Sequence, residues 1–199
     1  MSDSATAALR REHASTCEAC ARILLDEAEL GNALALGLPE AVPGPELWER
    51  IAAEATRTRF VRFAARCAKL IDQAVAHVEE LLGAIDMPER WAEASPGVAI
   101  FHFEGGPATA GAITGFVRLE PGGQFPKHEH LGHEWNLVLE GALQTDDGRV
   151  LRAGQELEME PGTEHVLSAL PGEAVIYLAV SLDGISMSGE PLGPDDPRA

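Results

Sequence analysis

The sequence predicts an α+β protein: a helical N-terminal half followed by a C-terminal half built as a small β-sandwich or barrel. Three observations carry that expectation. Apolar residues recur at helical intervals from Leu47 to Leu82. From about Ser95-Pro96-Gly97 onward, short β-rich runs alternate with clusters of Gly, Pro, Asp and Asn. Between two of those runs, His128, His130, His133 and Glu134 crowd into one turn, where an ordinary loop has no need of them and an ordinary core could not bury them unpartnered.

Each element follows from the local pattern. ACARILLDEAELGNALAL (residues 19–36) reads as a helix, and LPEAVPGPE (38–46), with prolines and a glycine, reads as a linker. Beyond it, Leu47, Ile51, Phe60, Phe63, Cys67, Leu70, Ile71, Val75, Val78 and Leu82 form apolar faces with Arg and Glu between them. Residues 1–90 are therefore assigned to a helical domain. VAIFHF, AITGFVRL, WNLVLEG, HVLSAL and AVIYLAVSL read as strands, separated by EPGG, TDDG, RAGQ, EPGT and LPGE, and place a β domain over 91–190. The acidic, proline-containing end, 191–199, reads as a disordered tail.

The totals restrict function. The formal charge is −17, and it is unevenly spread: residues 1–90 carry 10 basic and 15 acidic side chains, net −5, and residues 91–199 carry 5 and 17, net −12. Direct nucleic-acid binding needs a basic footprint and is not expected. No apolar run approaches the roughly 20 residues of a membrane span and no signal-peptide core is present, so a cytoplasmic location is expected. Three cysteines, two of them close together, suggest metal or redox chemistry and not a disulfide framework.

In a strand His128 and His130 face the same side, and after a tight turn the next strand would return Glu134 beside them. His165, in EPGTEHVL, is the candidate for the fourth ligand. Three imidazoles and a carboxylate suit Zn, Fe, Mn, Ni or Cu, and ligand type alone does not choose among them. Alternation turns His133 away from Glu134, onto the turn surface; His102 fits either phase of its strand, and His77 reads as solvated on a helix. Upstream, His13, Cys17 and Cys20 are spaced by four and three, within about 60° of one another on a helix. Such a set suits tetrahedral zinc.

These residues carry two resemblances. Gly122, His128, His130, Glu134 and Gly141 resemble the first cupin motif at every spacing. Gly154, Gly162 and His165 resemble the second, with Pro161 displaced by one and Ala169 in place of its terminal Asn. That resemblance implies a jelly-roll β-barrel with a divalent metal on His128, His130, Glu134 and His165, zinc first and Fe, Mn or Ni as alternatives. The His13, Cys17 and Cys20 spacing followed by helices resembles the zinc anti-sigma domain, and the two together resemble the ChrR type of anti-sigma factor. This implies zinc at the N-terminal site, a helical half that binds an ECF-type sigma factor, and a cupin half that senses singlet oxygen or organic hydroperoxide. In that family an upstream helix supplies a fourth zinc ligand. Here twelve residues precede His13 and none is His or Cys, so water, a partner, Cys67 or a carboxylate would complete the set. Leu24, Leu47, Ile51 and Phe60 are the candidate partner-binding stripe. Two other readings remain: a metal-dependent, dioxygenase-like cupin enzyme acting on a small molecule, and an oligomer whose helical half forms a homodimer.

Overall fold

The computed structural model describes residues 3–38, 42, 44–196 and 198. The chain divides into two compact units, Met1–Arg50 and Ile51–Ala199. The first contains α1 (Asp3–Ala14), α2 (Glu18–Leu36) and the start of α3 (Pro45–Thr58). Ser15 Oγ and Thr16 Oγ1 donate to the carbonyls of Glu12 and His13, which satisfies the end of α1 and turns the chain into α2. An Arg10–Glu27 ion pair at 2.9 Å bridges the two helices, and α2 has no buried side chain. No described helix is long and apolar enough to cross a membrane.

The second unit holds α4 (Ala64–Leu70), α5 (Val75–Gly83) and twelve strands: β1 (Ala92–Ser95), β2 (Val98–His102), β3 (Ile113–Leu119), β4 (Gln124–His130), β5 (Glu134–Glu140), β6 (Ala142–Thr145), β7 (Val150–Arg152), β8 (Glu156–Met159), β9 (Glu164–Ala169), β10 (Val175–Ser181), β11 (Ile185–Met187) and β12 (Glu190–Leu192). Two six-stranded antiparallel sheets, ordered β1-β2-β3-β10-β5-β8 and β12-β11-β4-β9-β6-β7, make the jelly roll. The fold is thus the expected α+β arrangement of helices followed by a β-sandwich.

The two sheets differ because their faces meet different neighbours. In β10, Val175 and Tyr177 belong to the core between the sheets. Ile176, Leu178 and Val180 belong to a second core shared with Phe60, Phe63, Cys67, Ile71, Val78 and Leu82. A strand apolar on both faces reads as a continuous hydrophobic run, as VIYLAV does. In β4, by contrast, only Phe125, His128 and His130 are buried. The helical segment 60–85 therefore belongs to the barrel's unit, and the expected boundary at residue 90 does not match the packing. Phe60, expected in a partner-binding stripe, is 3% exposed within this core.

The α4 terminus is fastened to the loop before β3. Gly106 N–H and Thr109 Oγ1–H both donate to Ile71 O, and Asp72 accepts from Ala108 N–H at 2.8 Å. A Cβ on Gly106 would lie 1.7 Å from Asp72 O, so only glycine allows this approach. The chain end also differs from the expected tail. Leu192, in β12, is 2% exposed because its side chain completes the inter-sheet core, and Arg198 pairs with Glu190 and Asp196.

Candidate metal centre

His128 and His130 share the inward face of β4, two residues apart. His165 of β9 is the ladder partner of His128, and Ser181 of β10 is the ladder partner of Glu134 at the start of β5. The pairing register thus gathers four side chains, none more than 3% exposed. His165 Nε2 lies 3.1 Å from His128 Nε2 and 3.3 Å from His130 Nε2. Glu134 Oε1 is 3.4 Å from His165 Nε2 and 3.6 Å from His130 Nε2, with Oε2 3.8 Å from His128 Nε2.

The surrounding hydrogen bonds fix which nitrogen carries hydrogen in two of the three rings. Thr163 Oγ1–H is committed to Glu160 O at 2.6 Å, so at 3.0 Å from His130 Nδ1 the hydroxyl oxygen can only accept. His130 is therefore protonated on Nδ1 and presents a bare Nε2 lone pair inward. His128 Nδ1 donates to Pro126 O at 2.9 Å with the same consequence. Two bare nitrogens facing His165 Nε2 repel unless a positive group lies among them. One proton on His165 could serve only one of them, whereas a divalent cation serves all four donors at once. The donor set fits such an ion.

Glu134 is prepared as a carboxylate. Asn136 Nδ2 donates to Oε1 at 2.7 Å and Ser181 Oγ donates to Oε2 at 2.5 Å. Burial raises its pKa, but positive charge shared among the three imidazoles outweighs that and holds it well below the usual carboxylate value, the same place a bound cation would occupy. Burial lowers the pKa of His165, with Glu134 opposing, which keeps the ring neutral and able to ligate. Thr163, Asn136 and Ser181 were not among the residues expected from sequence. Asn136 was within reach, since it lies two residues from Glu134 on the same face.

In the first unit, His13 in the last turn of α1, Cys17 at the N-cap of α2 and Cys20 in its first turn bring their ligand atoms within 4.8 Å of one another. The Cys20 backbone N–H and thiol lower the Cys17 pKa, and the neighbouring Cys17 raises that of Cys20. Cys67 does not extend this set. It is fully buried in the helix–sheet core, with its pKa pushed up to about 12 by burial. Among the described residues no carboxylate joins the trio either. His133 is half-exposed, stacked on Trp135 at 5.7 Å and grouped with Glu158 and Glu160. His77 is exposed, and His102 turns inward to line the barrel cavity.

A two-sheet jelly roll gathering three histidines and a glutamate from facing strands is a cupin. Residues 84–182 match the model of the family described as the ChrR cupin-like domain. Among solved structures, the chain is similar to one from the complex of Rhodobacter sphaeroides SigE with the anti-sigma ChrR, at 22% identity, covering 85% of this chain and 83% of that one with a TM-score of 0.48. It is also similar to KdgF from Halomonas sp. (21% identity, 49% and 89% covered, TM-score 0.41) and to an acetylacetone dioxygenase from Acinetobacter johnsonii (14%, 53% and 80%, 0.46). No curated protein matches the sequence.

Proposed function

We propose that the chain is a metal-dependent anti-sigma factor of the ChrR type. Its helical N-terminal region binds an ECF-type sigma factor, and its cupin half senses oxidative stress in the cytoplasm. One observation carries this reading: a ChrR cupin-like domain and a convergent His13, Cys17 and Cys20 set occur in the same chain. In this reading His13, Cys17 and Cys20 hold zinc and fix the α1–α2 turn, so that the exposed Ile23, Leu25, Leu30 and Leu34 of α2 and Leu47 and Ile51 of α3 meet the sigma factor. The net charge of −17 fits a protein partner and not direct contact with DNA.

In the cupin half, His128, His130, Glu134 and His165 hold one divalent ion. When bound, such an ion supplies Lewis acidity or, if it is a redox metal, electron exchange with an oxidant. The chain's own residues do the rest. Thr163 and the Pro126 carbonyl keep the imidazoles in the ligating tautomer, and Asn136 and Ser181 hold the carboxylate. The test is co-purification of the full chain with ECF sigma factors, with metal content measured on the same sample. Capture of a sigma factor that depends on Cys17 and Cys20 supports the reading, and its absence refutes it.

The second reading is a metal-dependent cupin enzyme acting on a small molecule. It is favoured by the cavity that adjoins His128 and Glu134. Turnover of a small diketone or flavonol by the loaded protein would establish it.

A further inference from the structure

The four candidate ligands of the barrel are not equally supported. His128 Nδ1 donates to Pro126 O at 2.9 Å, His130 Nδ1 lies 3.0 Å from Thr163 Oγ1, and Glu134 accepts from Asn136 and Ser181. His165 Nδ1 is buried and has no hydrogen-bond partner among the described residues. His165 is also missing from the wall of the cavity that His128 and Glu134 line, so that space does not hydrate it. A buried donor is rarely left so, because it loses its hydration without compensation.

This asymmetry decides where the His165 hydrogen sits. A neutral imidazole carries one, on Nδ1 or on Nε2. On Nε2 it has acceptors: the bare Nε2 of His128 at 3.1 Å, that of His130 at 3.3 Å and Glu134 Oε1 at 3.4 Å. On Nδ1 it has none among the described residues. In the metal-free protein the hydrogen therefore sits on Nε2, the nitrogen that ligation requires bare. His128 and His130 carry theirs on Nδ1 already.

We infer that His165 is the exchangeable ligand of the barrel centre: it moves its hydrogen from Nε2 to Nδ1 when an ion binds, moves it back when the ion leaves, and holds the ion least firmly of the three rings. The proton count balances. The Nε2 hydrogen is lost to water and Nδ1 takes one from water, so the ring stays neutral while its Nε2 lone pair passes to the ion. The bound state leaves the His165 Nδ1–H buried and unpaired, whereas the same hydrogen in the other two rings has an acceptor. Partners of that kind are worth about 10–100-fold in metal affinity. His165 is thus the first bond to give way. The inference rests on the reading of the barrel as a metal centre and names the side chain through which that centre opens.

The experiment uses the full chain labelled with ¹⁵N at histidine, at about pH 8, above the ordinary histidine value of about 6.5. Long-range ¹H–¹⁵N spectra show which nitrogen of each ring bears hydrogen, and His128→Gln, His130→Gln and His165→Gln assign the rings. In the metal-free protein, His128 and His130 should carry hydrogen on Nδ1 and His165 on Nε2. On loading with zinc, which is redox-inert, His165 alone should change. A metal-free His165 already protonated on Nδ1, or on both nitrogens, overturns the inference, as does a change at His128 or His130. Zinc affinity read by chelator competition should fall about 10–100-fold less in His165→Ala than in His128→Ala, with circular dichroism confirming both folds. Equal losses also overturn it, and if a variant fails to fold the spectra of the native chain decide. A barrel that takes up no zinc refutes the metal centre and the inference together. Sigma-factor capture on the same sample separates the readings. The His165 change without capture counts against the anti-sigma reading alone, and capture with an unchanged His165 counts against the inference alone.

Discussion

Replacing Thr163 by Val tests the tautomer argument without touching a candidate ligand. The substitution keeps shape and removes the hydroxyl oxygen that accepts from His130 Nδ1 at 3.0 Å, together with the donor to Glu160 O. His130 is then free to carry its hydrogen on Nε2, where it would block the ligating lone pair. Loss of such an outer hydrogen bond typically weakens metal binding about 10–100-fold, or about 1.4–2.7 kcal/mol. Thr163→Ser restores the oxygen and should bind within about threefold of the native chain on the same scale. Metal affinity is read by competition with a chromophoric chelator, with circular dichroism confirming that both variants fold. A folded Thr163→Val protein with native affinity would refute the claim that Thr163 sets the His130 tautomer.

Other outcomes follow from the same structure. Replacing Cys17 and Cys20 together by Ser should remove about one zinc and leave the barrel metal in place, by elemental analysis; unchanged zinc content would reduce the trio to a coincidence of spacing. A fragment spanning 51–199 should be monodisperse on size-exclusion chromatography, whereas 91–199 should aggregate, because it uncovers Phe101, Phe116, Leu137, Leu139, Leu178 and Val180. A well-folded 91–199 fragment would contradict the helix–sheet core. The metal-free protein should lose stability in acid. His165 lies below its ordinary 6.5, so the unfolded chain binds the extra proton first and stability falls as pH drops through that region. Glu134, held well below 4.5, adds a contribution present above that value and lost further down. Urea midpoints should be lower at about pH 5 than at about pH 7.5, and a flat profile would refute this assignment.

How much of this was legible in the sequence depends on the range of each interaction. His128, His130 and Glu134 sit within seven positions, so alternation along β4 and one short turn into β5, in the facing sheet, bring them together. His165 needs the motif spacing, because its pairing with His128 spans the four intervening strands β5 to β8. Ser181 and Thr163 reach the site through register and a turn far along the chain, for which no local pattern exists. Helical periodicity showed that Phe60, Phe63 and Cys67 lie on a buried face but not what covers it. The clue lay elsewhere, in the unbroken apolar run of β10, which is covered on both sides. The chain end hides its strand for a related reason. Its composition is that of a loop, yet Pro191 and Leu192 pair with β11, and Leu192 closes the core.

Transcription in vitro tests the central claim most directly. RNA polymerase is programmed with the ECF sigma factor that co-purifies with the chain, on that factor's own promoter. The account predicts that the full, metal-loaded protein silences transcription, that Cys17→Ser/Cys20→Ser relieves the silencing, and that an oxidant restores transcription unless His128 has been replaced. Undiminished transcription with excess folded, metal-loaded protein would contradict it.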